Sequence, residues 1–129
     1  IPQALNAGKI RLFKSYRRNY ADGEQRRDFV FVQDVVNIVI HFLNSQAAPS
    51  GLYNAGTGQA QTFNSLAGAI FSALDKPVNI EYFEMPENLR ESYQYFTEAD
   101  MDKIRAAGYD FMPTSLEEGI GQYARRFLK

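Results

Sequence analysis

The chain has 129 residues, 45% of them hydrophobic and 22% charged, with a net charge of −1, one His and no Cys. That is an ordinary globular composition, enough for one domain with a real core but short for a self-contained cofactor enzyme. It excludes disulfides, thiolate catalysis and sulfur-ligated metals, leaves His41 as the only imidazole for a zinc site, and holds no apolar run near the ~20 residues that span a membrane.

The chain begins at Ile1 rather than Met, as a fragment or a processed product would. Residues 1–7 read as the tail of a helix closed by Gly8. Residues 10–13 (IRLF) fit a short strand, and the polar stretch 14–25 contains the turn signal Ala-Asp-Gly. The run FVFV at 29–32 has the continuous apolar character of a parallel strand covered on both faces. A helix is predicted to follow, because Val35, Ile38, Val39 and Phe42 recur at i, i+3, i+4, i+7, with Asp34 as its N-cap. Residues 51–56 (GLYNAG) read as another short strand. From Thr62 a helix presents Phe63, Leu66, Ala67, Ile70, Phe71 and Leu74 on one face, and residues 78–85 alternate as a strand. Two further helices are expected: one from a Thr97 cap to a Gly108 stop, and one from a Ser115/Glu118 capping box that buries Leu116, Ile120, Tyr123, Ala124 and Phe127. Strands alternating with helices imply an α/β fold with some parallel pairing.

Several features invite chemistry. The glycines of NAGTGQAQTF offer backbone N–H groups as a phosphate loop would. The G-x-G-x-x-G spacing fails, however, since the third residue after Gly58 is Gln61. The simpler reading is a tight turn with Thr62 capping the helix. His41 reads as a partly exposed structural residue. Ten of the 15 acidic residues lie between Glu81 and Glu118, and seven of the 14 basic ones between Lys9 and Arg27. Such a split points to a local anionic ligand rather than to nucleic acid. Arg26 and Arg27 stand where FVFV begins, and a guanidinium there offers a charged fork matching a phosphate. Ion pairing with Asp28, Glu24 or Asp34, or simple exposure, explains the two arginines equally well on composition.

The segments RRDFVFVQDVVNIVIHFL and GLYNAGTGQAQTFNSLAGAI resemble the C-terminal part of extended short-chain dehydrogenase/reductases acting on nucleotide sugars. More narrowly, IRLFKSY, DGEQRRDFVFV and ESYQYFTEADMDKIRAAGYD resemble the ADP-glycero-manno-heptose 6-epimerase family, NADP-dependent enzymes of lipopolysaccharide inner-core synthesis. The resemblance covers nearly the whole chain and implies a Rossmann-type α/β fold. It implies substrate contacts for Arg27, which precedes Asp-Phe-Val, for the four-residue loop Phe13, Lys14, Ser15 and Tyr16, and for Tyr93, which precedes Gln-Tyr-Phe-Thr. Arg26 falls in a less constrained neighbouring slot. In the whole enzyme the resemblance implies hydride withdrawal from C6 of the heptose and its return to the opposite face, with ADP-heptose as substrate, in a cytoplasmic homo-oligomer that contacts neither nucleic acid nor membrane.

The departures matter equally. Such enzymes carry an upstream Gly-x-x-Gly-x-x-Gly turn and a Tyr-x-x-x-Lys pair. Here the tyrosines at 16, 20, 53, 82, 93, 95, 109 and 123 all lack Lys four residues on. The chain should therefore be the substrate-binding portion, residues 1–129, inert alone, with no catalytic or cofactor-binding residue of its own and NADP held mainly by an N-terminal portion it lacks. Part of a different nucleotide-sugar epimerase or dehydratase, or a non-catalytic interaction module, are the competing expectations.

Overall fold

The computed structural model describes residues 1–45 and 47–128. The elements in chain order are α1 (Pro2–Asn6), β1 (Ile10–Phe13), β2 (Arg26–Arg27), α2 (Val32–Asn44), β3 (Gln61–Thr62), α3 (Phe63–Ala73), β4 (Ile80–Phe83), α4 (Glu87–Arg90), α5 (Asp102–Ala106) and α6 (Leu116–Phe127). Strands β1 and β4 pair in parallel with Ile10 opposite Ile80 and Phe13 opposite Phe83. The short β2 pairs antiparallel with β3, and Arg26 also bridges in parallel to Phe96.

The core has two parts. In the first, Ala4, Ile10, Ala67, Ile70 and Phe71 are buried among Leu12, Leu66, Leu74, Ile80 and Ile120. Helix α3 supplies most of it, since its apolar residues recur at helical spacing, and α6 packs alongside. In the second, Ile38, Met101, Ile104 and Tyr109 close over Phe42, Tyr53 and Ala99, joining α2 to α5. Asp34 carries α2 to the start of α6, accepting from Thr114 N–H (2.8 Å) and Oγ1 (2.9 Å).

The expected caps of α3 and α6 form. Thr62 Oγ1 accepts from Ser65 N–H at 2.9 Å and Ser115 Oγ from Glu118 N–H at 3.2 Å. Only half of the capping box closes, because the Glu118 carboxylate accepts from Gln122 instead. The run 29–32 is not a strand. No neighbour offers it a ladder among the described residues, so Phe29 packs edge-on against Phe63 (5.5 Å) and the chain enters α2 at Val32. The N-cap of α2 is accordingly Phe31, with Asp34 in the first turn, where its charge favours the positive helix end. Residues 51–56 likewise run without a ladder. Helix α5 starts at Asp102 rather than at a Thr97 cap and ends before Gly108 (φ +92°). On α6, Tyr123 (44%) and Phe127 (58%) remain exposed, and on α2 Val39 is 52% exposed.

Candidate functional site

The two residues of β2 point to opposite faces, as alternation in a strand requires. Arg26 is exposed, whereas Arg27 is half-buried. The Arg27 guanidinium lies 5.3 Å from the Tyr93 ring centroid and 5.8 Å from that of Phe63, and it donates to its neighbour's carbonyl, Arg26 O, at 2.8 Å. Tyr93 and Phe63 line a cavity of about 300 Å³ together with Arg11, Leu12, Phe13, Gln25 and Phe83. Its wall is aromatic: Phe13 meets Tyr93 edge-on at 6.0 Å and Phe83 at 4.8 Å. Buried Gln25 reaches Phe13 O from Nε2 at 3.4 Å.

Among the described residues Arg27 has no carboxylate partner. The three acids that could have paired with it are engaged elsewhere. Glu24 accepts from Asn64 (2.7 Å), Asp34 holds Thr114, and Asp28 turns to the loops behind it. Burial beside other rings raises the Tyr93 hydroxyl above the usual tyrosine range; the Arg27 charge opposes this, and Tyr95 adds to it. Tyr93 therefore presents a neutral O–H at neutral pH.

Of the six residues expected to contact a substrate, Phe13 and Tyr93 line one cavity, and Arg27 does not line it but stands against two of its rings, Tyr93 and Phe63. Lys14, Ser15 and Tyr16 follow the cavity-lining Phe13 in the chain but do not line the cavity, and they are tied elsewhere. The Lys14 ammonium pairs with Glu84 at 2.7 Å, which raises its pKa through that hydrogen bond first and the attraction of the two charges second. Tyr16 donates its hydroxyl to the same carboxylate, and its backbone N–H donates to Tyr95 Oη at 2.8 Å. Ser15 N–H donates to Asp22 Oδ1 at 2.6 Å. Gly23 closes this loop at φ +75°, and a Cβ there would lie 2.0 Å from Asn64 Oδ1.

Sequence reasoning offers Asp28 only as an ion-pair partner for the arginines, and its actual partners lie elsewhere. Its carboxylate accepts from Thr57 N–H (2.8 Å), Thr57 Oγ1 (2.5 Å), Gly58 N–H (2.9 Å) and Ala99 N–H (3.0 Å). Desolvation pushes its pKa up, but the four hydrogen bonds outweigh that and leave it lowered. Gly56 passes so close that a Cβ would meet Asp28 Oδ2 at 2.6 Å and Ala99 Cβ at 2.5 Å. The N–H groups of the glycine turn are thus spent on a protein carboxylate, so this turn does not fit a dinucleotide phosphate, and no Tyr-x-x-x-Lys pair accompanies it.

The sequence pattern of the NAD dependent epimerase/dehydratase family matches residues 1–56. A protein of Nitratidesulfovibrio vulgaris (strain DP4) named ADP-L-glycero-D-manno-heptose-6-epimerase is 47% identical over 121 residues, 94% of this chain and 37% of the relative. Its namesake in Fusobacterium nucleatum is 46% identical over 127 residues. The chain belongs to the NAD-dependent epimerase/dehydratase family. It spans between a third and two fifths of the length of these epimerase relatives. The crystal structure of the Helicobacter pylori ADP-L-glycero-D-manno-heptose-6-epimerase superposes with a TM-score of 0.72 at 27% identity, over 95% of this chain and 34% of that one. The Thermus thermophilus UDP-glucose 4-epimerase in complex with NAD superposes at 0.75 and 24% identity, a likeness of fold. The fold is that of extended short-chain dehydrogenase/reductases, with the parallel pair β1–β4 and its intervening helices as this chain's share.

Proposed function

We propose that this chain is the substrate-binding portion of an NADP-dependent epimerase that inverts C6 of the heptose in ADP-glycero-manno-heptose, a precursor of the lipopolysaccharide inner core. One observation carries the reading. A half-buried guanidinium without a carboxylate partner among the described residues stands beside an aromatic cavity, in a chain 43–47% identical to proteins named for that activity. In this reading Arg27 grips the diphosphate through charge-assisted hydrogen bonds, each contributing roughly 1.5–3 kcal/mol. Phe13 and Tyr93 pack against the sugar or base, and the Tyr93 O–H donates to a hydroxyl. NADP supplies the redox chemistry from a part of the enzyme outside this chain. This chain's task is to hold the activated sugar while C6 changes configuration.

The apolar outer face of α2 supports a larger parent. Val32, Val36, Val39, Ile40 and Leu43 are between 42% and 79% exposed along one 13-residue helix. A row of that kind calls for a cover, and we assign the cover to the upstream portion that the longer relatives possess.

Arg27→Ala in the full-length enzyme should raise KM for ADP-heptose by one to two orders of magnitude, about 1.4–2.8 kcal/mol, with kcat little changed. An unchanged KM in a folded variant would remove Arg27 from the site. Binding of ADP-heptose measured against UDP- and GDP-sugars tests the sugar nucleotide itself. Equal affinity for all three would favour a different epimerase of the same fold.

A further inference from the structure

Glu84, the residue after the cavity-lining Phe83, ties down the loop that follows Phe13, another lining residue. One carboxylate oxygen accepts from Lys14 Nζ at 2.7 Å and the other from the Tyr16 hydroxyl. Lys14 N–H donates to Phe83 O at 2.9 Å, so the loop leaving β1 is also pinned to the end of β4 through its backbone. The Arg90 guanidinium covers the Tyr16 ring at 3.9 Å while its Nε donates to Met85 O at 2.9 Å. From the inner side, buried Tyr95 takes the Tyr16 N–H. The tyrosine is therefore held by its ring, its hydroxyl and its backbone.

We infer that Glu84 is a positioning residue: it clamps the 14–16 loop where the chain leaves the cavity-lining Phe13, and Lys14 serves as a strut of that clamp rather than as a phosphate ligand. The inference rests on the substrate-binding reading of the cavity and refines it, leaving the diphosphate to Arg27. The Lys14–Glu84 pair is exposed on both sides (43% and 62%), and an exposed pair contributes little to global stability. Its consequence is local. A loop already fixed loses less conformational freedom when a ligand arrives.

The experiment uses the full-length enzyme and compares Glu84→Ala, Glu84→Gln, Lys14→Glu, the swap Lys14→Glu/Glu84→Lys, and Arg27→Ala as reference. KM, kcat and urea midpoint are measured for each with ADP-heptose. The clamp predicts that Glu84→Ala raises KM about tenfold with kcat within threefold and an unchanged midpoint. Glu84→Gln, which keeps an acceptor for Tyr16, should fall between. Lys14→Glu should be impaired through like-charge repulsion, and the swap should return KM to within about threefold of the parent. Were Lys14 a phosphate ligand, the swap would stay impaired, and freeing the ammonium in Glu84→Ala would lower KM; either result overturns the inference. An Arg27→Ala enzyme with raised KM beside an unaffected Glu84→Ala enzyme overturns the clamp alone. If neither residue matters, the substrate-binding reading of the cavity falls with it.

Discussion

Arg27, the last residue of β2, and Asp28, just beyond it, are adjacent yet do opposite things. Arg27 turns toward the cavity, while Asp28 turns behind it and fastens residues 57, 58 and 99 through four accepted hydrogen bonds. Asp28→Asn would aim an NH₂ group at an array of donors, so it should destabilise the fold by roughly 2–4 kcal/mol, read as a shift in urea midpoint. The pH dependence has a definite sign. The folded-state pKa of Asp28 is lowered, so its stabilisation is complete above the unfolded value near ~3.9 and fades as pH falls through the folded value. The stability gap between the parent and Asp28→Asn should therefore be constant from neutral pH to about 4 and shrink below that. A gap unchanged into stronger acid would contradict the assignment. An arginine against an apolar run draws notice to Arg26 and Arg27 in the sequence, but composition leaves pairing and ligand binding even, and only the family resemblance points to Arg27. Asp28 was illegible because its partners Thr57 and Ala99 lie 29 and 71 residues away.

Among the elements, those whose signals are local came through. Thr62 and Ser115 cap their helices as expected, and Ser115→Ala should cost about 1 kcal/mol in thermal or urea unfolding. Phe71, fully buried on α3, is the keystone of the first core, and Phe71→Ala should cost about 3–5 kcal/mol by the same measurement. Of the expected strands, 10–13 forms as β1 and 78–85 holds β4, whereas 29–32 and 51–56 fail. The apolar run at 29–32 has the content of a buried strand, but a strand exists only with a partner, and pairing is not encoded in the run itself. The Thr97 cap failed for a related reason. Thr97 N–H donates to Arg26 O at 3.2 Å beside the Arg26–Phe96 bridge, so that segment is held extended by β2 instead of entering a helix.

At the scale of the molecule, the charge split has a structural counterpart. Basic Lys9, Arg11 and Lys14, from the N-terminal cluster, meet Glu81 and Glu84 across the parallel β1–β4 pair, which neutralises part of each block. Arg17, Arg18, Arg26 and Arg27 make no ion pair among the described residues, and of these four Arg27 is the one set against Tyr93 and Phe63, two rings that line the cavity. The exposed apolar row on α2 gives a prediction at the same scale. Val39→Glu together with Leu43→Glu should lower the thermal midpoint of the full-length enzyme, and an unchanged midpoint would mean that face stays open to water there. The decisive measurement is a structure of the full-length protein with ADP-heptose bound. It should place the Arg27 guanidinium within about 3 Å of diphosphate oxygens, with Tyr93 against the ligand. A nucleotide seated away from the Phe13–Tyr93 cavity, with Arg27 turned to solvent, would contradict it.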